Sequence, residues 1–167
     1  PVLNVLRLLG ELRGARVALS SDAARDPLAQ DGADTPDAPP DVSGIATLDE
    51  RRTLRVLLIS HHDDWDVGAV TEATLRVAGL EPRRRYAVYR SAVDVESANA
   101  HTAWQRMGAP QPPDAAQRDE LLEAARLRRE HQFELTTDEE GQAEFAATLR
   151  SHGAYLFELA PAIETRG

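Results

Sequence analysis

From residue 42 onward the chain repeats one pattern: a short apolar or alternating segment, then a polar link of a few residues. Residues 42–48 read as a strand, Asp49-Glu50-Arg51-Arg52 turns the chain, and 54–60 (LRVLLIS) is apolar enough for a central strand. Residues 69–77 alternate Glu72, Thr74 and Arg76 against Thr71, Ala73, Leu75 and Val77. After Gly79, residues 84–90 place Tyr86 and Val88 on one face. Phe133 and Leu135 resume the pattern, and 142–149 alternates through Ala143, Phe145, Ala147 and Leu149. Residues 153–159 set Tyr155 and Phe157 on one side and Leu156 on the other. Links this short cannot hold crossover helices, so the strands are antiparallel. Roughly seven or eight strands with short turns predict a mainly β chain, an antiparallel β-sandwich. No internal repeat is visible.

Two segments break the pattern. Residues 91–130 are a polar excursion carrying Asn99, His101, Thr102 and Trp104, then Met107-Gly108 and the turn Pro110-Gln111-Pro112-Pro113. Long structured excursions between strands are more often functional or interface elements than filler. Asp114 with Gln117 three residues on is a capping-box signal, and Leu121, Leu122, Ala125 and Leu127 give the helix that follows one apolar face. The second segment, residues 1–13, is helical, with Pro first and Gly14 after its end. Val2, Leu3, Val5, Leu6, Leu8, Leu9 and Leu12 cover more than one stripe, which predicts a helix buried on most sides and cut from a larger body. Residues 16–20 are a short strand candidate. Residues 21–41, rich in Asp, Ala and Pro (Pro36, Pro39, Pro40), predict a mobile loop without the spacing of a calcium-binding loop.

Composition removes several functions. A net charge of −9 argues against nucleic acid or an anionic membrane as partner, because phosphate binding needs clustered positive charge. All 19 basic residues are Arg, so no lysine mechanism is available, and the lack of Cys excludes thiolate nucleophiles, thiolate metal sites and disulfides. No apolar run reaches membrane-spanning length and no signal peptide is visible; cytoplasmic and secreted locations both stay open.

His61-His62-Asp63-Asp64 closes the most apolar strand, and imidazoles with a carboxylate are ligands for zinc or iron. Such a site would use His61, His62 and Asp63, but adjacent residues on a strand point to opposite faces, so His61 and His62 do not easily share one metal; a polar turn with Asp63 or Asp64 capping backbone amides competes with that reading. Asp138-Glu139-Glu140 offers carboxylates for glycosidic chemistry, but it precedes Gly141 at a hairpin tip. Asn99, His101 and Trp104 form a candidate sugar platform. The alternative is that Trp104 and Met107, three apart on one helix face, anchor a short helix to the sandwich. No Gly-rich phosphate loop, Gly-x-Ser-x-Gly elbow or His-Glu-x-x-His helix is present.

The excursion carries a family resemblance. Tyr89-Arg90, the run Ser97-Ala98-Asn99-Ala100-His101-Thr102-Ala103-Trp104, and Met107-Gly108-Ala109-Pro110-Gln111-Pro112-Pro113 with Gln117 resemble the C-terminal region of family 39 glycoside hydrolases. These are the β-xylosidases, with α-L-iduronidase as a relative. Residues 1–14 resemble the last helix of that family's (β/α)8 barrel, 57–64 (LLISHHDD) the strand and acidic turn that follow, and 154–161 (AYLFELAP) the closing strand. The chain departs from the family pattern at Ser91-Ala92-Val93-Asp94, Ser97-Ala98 and His101.

The resemblance implies retaining enzymes whose two catalytic glutamates lie on barrel strands before Pro1, so it places no catalytic residue and no cofactor on this chain. Residues 1–14 would belong to the barrel, 15–90 and 131–167 to an accessory sandwich, and 91–130 to an excursion near the active-site rim or a homo-oligomer contact. The implied partners are the barrel and its xylo-oligosaccharide substrate. An independent carbohydrate-binding module and a metal protein using the His-His-Asp-Asp turn are the alternatives.

Overall fold

A computed structural model describes residues 1–26 and 38–162. The mobile-loop expectation for 21–41 falls largely on residues 27–37, and the last part of the closing segment on 163–167; both lie outside the described residues.

Two strands are apolar on both sides, and both lie at the centre. These are β3 (Leu54–His61) and β8 (Gly153–Pro161), which pair antiparallel with Val56 opposite Phe157 and Leu58 opposite Tyr155. They sit in a six-stranded antiparallel sheet of order β1-β2-β3-β8-β5-β6, completed by β1 (Ala15–Val17), β2 (Asp41–Leu48), β5 (Arg85–Val93) and β6 (Glu130–Thr136). The last strand in sequence is therefore inserted between the third and fifth. β4 (Val70–Val77) and β7 (Ala143–Arg150) form a separate two-stranded sheet. Their period-2 alternation turns one face of each inward: Phe145, Ala147 and Leu149 of β7 are buried, and Ala73 and Leu75 of β4 are partly buried.

The main core fills the space between the two sheets. Val56, Leu58, Tyr86, Val88, Tyr155, Phe157 and Leu159 of the large sheet meet Val77, Phe145 and Leu149 of the small one. Phe145 touches both Phe133 and Phe157, each with ring centroids 5.7 Å apart. The result is a lopsided sandwich, two strands covering six.

The back of the large sheet is covered by helix α1 (Val2–Gly10). Leu8, with Val5 and Leu12 beside it, packs on Leu57, Val93, Ala98, Ala154 and Leu156. Burying Leu8 contributes about 2 kcal/mol. Within this chain the helix is buried along one side only. Only Asn4 and Leu8 are buried, while Val2, Leu3, Leu6 and Leu9 keep between 42% and 74% of their surface exposed. The sheet receives one stripe of the helix; the second stripe faces outward.

The strands cross between sheets at one corner. Asp138 Oδ1 accepts the N–H groups of Glu140 and Gln142 at 3.0 and 2.7 Å, and Thr137 Oγ1 donates to the Glu81 carbonyl at 2.6 Å. Leu80 N–H donates to the Gly141 carbonyl at 3.1 Å. Gly141 has φ +75°, and a Cβ there would lie 2.1 Å from the Leu80 carbonyl oxygen, so the corner demands glycine.

Candidate functional site

The excursion leaves the large sheet at Asp94 and returns at Glu130. β5 continues to Val93, so strand pairing reaches three residues into the stretch expected to be irregular. Its two helices are α2 (Ala100–Arg106) and α3 (Ala115–Ala124). Asp94 is the hub of the exit. Its buried carboxylate accepts N–H bonds from Glu96 and Ser97 at 2.8 and 2.7 Å and the hydroxyl of Tyr155 at 3.0 Å, with Arg90 4.0 Å away. Tyr155 is fully buried; burial first, and then the Asp94 carboxylate, push its phenol up to about 12, against the opposing pull of its backbone hydrogen bond at Arg150 and of the Arg90 charge.

Asn99 caps α2. Its Oδ1 accepts the N–H groups of His101 and Thr102 at 3.1 and 3.3 Å, and its Nδ2 donates to the Asp94 carbonyl at 3.0 Å. Trp104 donates its indole N–H to the Pro110 carbonyl at 3.1 Å, and His101 stacks on it at 5.6 Å. The structure brings the rings of His101 and Trp104 together, while the Asn99 side chain is engaged with backbone atoms of Asp94, His101 and Thr102 and the Trp104 N–H with Pro110. The anchoring role read from Trp104 and Met107 changes. Trp104 fastens α2 to the Pro-rich turn, no residue of α2 is buried, and Ala98 is what enters the core beneath α1. Asp114 and Gln117 make the reciprocal capping box at 2.9 Å in each direction. α3 buries no residue and Leu122 is exposed; beyond its end, Leu127 packs on the second core.

Asn4 joins these parts. Nearly fully buried on α1, it donates both amide hydrogens, to Ala98 O at 3.0 Å and Ala125 O at 2.7 Å. Leu8 and its neighbours concealed it, because a buried Asn in an apolar helix has no periodic signature.

The His-His-Asp-Asp turn separates its imidazoles. His62 is buried, with Nδ1 accepting the Asp64 N–H at 2.9 Å and Nε2 3.2 Å from the Ala38 carbonyl. His61 is exposed and lies 3.3 Å from Asp63. Asp64 Oδ1 caps the Asp66 N–H at 2.9 Å. Among the described residues, no group of three or more His, Asp or Glu side chains is placed to hold a metal ion. What the pattern did not signal is Trp65, which stacks on His152 at 4.7 Å with the rings 18° apart and meets His61 edge-on at 6.5 Å.

Two open concavities flank the large sheet. One, of about 360 Å³, lies between β5, β6 and β7 and contains Arg90, Asp94, Glu96, Gln132, Phe133 and Arg150. Its two carboxylates are committed, Asp94 to the exit turn and Glu96 to Arg150 at 3.3 Å. The other, of about 220 Å³, runs beside α1. There Glu158 joins Arg55 at 3.0 Å and Arg129, whose guanidinium lies 3.3 Å from the Tyr89 ring centre. Neither presents a pair of free carboxylates facing across a cavity, the arrangement that glycoside hydrolysis needs.

Solved structures share this architecture. A GH39 enzyme from Xanthomonas axonopodis pv. citri superposes with a TM-score of 0.72 at 18% identity, over 97% of this chain and 30% of its own. A monomeric β-xylosidase from Caulobacter crescentus CB15 gives 0.71 at 18% identity, over 98% of this chain and 31% of its own. The fold is that of one segment of a family 39 glycoside hydrolase. A bacterial orthologue of human α-L-iduronidase follows at 0.61 and 21% identity, over 75% of this chain and 23% of its own. The chain thus spans about a third of the structures it matches most fully. No protein-family profile matches the sequence, and no curated protein sequence does.

Proposed function

We propose that the chain is the accessory β-sandwich of a retaining β-xylosidase-like glycoside hydrolase, one that removes terminal β-D-xylosyl residues. The observation carrying this reading is the asymmetry of the match: nearly all of this chain corresponds to less than a third of each neighbour. The remainder of such an enzyme would hold the (β/α)8 barrel and both catalytic glutamates. On this reading α1 is shared. Its Leu8 stripe belongs to the sandwich, and its outward stripe of Val2, Leu3, Leu6 and Leu9 packs on the barrel. The sandwich stabilises the barrel, and the excursion, held at both ends by Asn4, shapes its entrance.

The test is hydrolysis of an aryl β-xyloside by this chain alone and by the same chain joined to its barrel. The joined polypeptide is expected to turn over and the isolated chain to be inert. Turnover by the isolated chain, or an inert joined polypeptide, sinks the proposal.

A further inference from the structure

Trp65 is the most exposed large apolar side chain among the described residues, with 77% of its surface free. An exposed indole on a loop is ordinarily mobile, but this one is held. One face is stacked on the His152 ring, and His61 closes on its edge. The supports are themselves fixed. His152 Nε2 lies 3.2 Å from the Asp64 carbonyl, and its backbone adopts φ 59° in the two-residue turn between β7 and β8, a conformation that disfavours a non-glycine residue. His61 is oriented by Asp63. With one face on His152 and so much surface free, the opposite face of the indole is open.

We infer that Trp65, backed by His152 and flanked by Asp63 and Asp66, is a saccharide-contacting platform. The negatively polarised face of an indole attracts the polarised C–H groups on one side of a pyranose ring. Carboxylates accept hydroxyl hydrogens, and Asp63 and Asp66, close to Trp65 along the chain, are both exposed. The platform stands at the sandwich end from which the excursion departs. Ser60 is opposite Gly153 and Val93 opposite Ala154 in the sheet, and Arg150, at the start of the β7–β8 turn, pairs with Glu96 of the exit loop. Choosing a pyranose over another ligand for an aromatic face rests on the glycoside hydrolase reading above; the preformed geometry does not.

Titration of the chain with xylohexaose, followed by heteronuclear NMR and calorimetry, tests the inference. Saturable shifts in the Trp65 indole N–H are expected, and Trp65→Ala is expected to weaken binding about tenfold or more. Trp104→Phe should leave binding unchanged. His152→Gly separates platform from fold. Glycine suits the positive φ, so melting should hold or rise, while binding falls several-fold because the indole loses its backing. No binding of xylohexaose at 20-fold excess over a millimolar, full binding by Trp65→Ala, or binding of tetramethylammonium in place of the sugar would each overturn it. None of these results alters the comparison between the isolated and the barrel-joined chain, so the two readings fail separately.

Discussion

Asp94→Ala is the sharpest probe of how the excursion is attached. The carboxylate accepts two loop amides and the hydroxyl of Tyr155, which has no access to water. The amides can rehydrate, at about 0.5 kcal/mol each. The phenol keeps only the longer Arg150 carbonyl contact at 3.3 Å, and losing a charge-assisted bond there costs about 2 kcal/mol. The expected loss is therefore about 3 kcal/mol. Asp94→Asn retains Oδ1 for the amides and should cost about half as much. Tyr155→Phe should cost about 1.5 kcal/mol, because it also strips the acceptor from the Arg150 N–H at 2.7 Å. The double variant Asp94→Ala/Tyr155→Phe should fall short of the sum by about 1 kcal/mol. Urea denaturation at pH 7, monitored by circular dichroism, measures all four. Additive losses, or an Asp94→Ala cost below about 1 kcal/mol, would show that the exit turn is held by something else.

Leu8→Ala should cost the isolated chain about 3 kcal/mol, whereas Leu3→Glu/Leu6→Glu should leave it within about 0.5 kcal/mol and destabilise only the barrel-joined polypeptide, by about 2 kcal/mol in thermal melts. Equal effects of the double variant in both contexts would contradict the docking role of the outer stripe. Tyr155 has a folded value raised above that of the unfolded chain, near 10, so the stability it contributes is complete below pH 10 and is lost as pH rises through about 12. Tyr155→Phe should flatten that alkaline limb of the stability profile; an unchanged limb counts against the buried phenol as its source. Gly141→Ala should lower stability by about 2 kcal/mol or more at the sheet-crossing corner, and a wild-type melting temperature would refute the clash with Leu80.

Much of the fold was legible because period-2 burial writes itself into the sequence. Residues 54–60 read as a central strand and 153–159 as a last strand with large apolar side chains on both sides, and they lie in the two central strands, Leu54–His61 and Gly153–Pro161. The Asp114–Gln117 box was readable because both partners lie within one helical turn. The strand order was not. The insertion of β8 between β3 and β5 depends on pairings such as Leu57 with Leu156, which leave no local trace. The same limit explains the helices. Leu122 looked like part of an apolar face, but α3 has no sheet beneath it, and the burial of Leu8 rather than Leu6 depends on which stripe meets Ala98 and Leu156. At the candidate site, Asn99 and Trp104 stood out for their chemistry, but their hydrogen-bond partners are backbone atoms that no motif records. Trp65 was hidden in a run of aspartates, where its exposure could not be told from burial.

Asn4 gives the molecule a clasp. One side-chain amide on α1 grips the peptide chain at Ala98, where the excursion begins, and at Ala125, near where it ends. The two feet of the loop are therefore tied to the same point of one helix and to each other, so the single change Asn4→Ala would unfasten both at once.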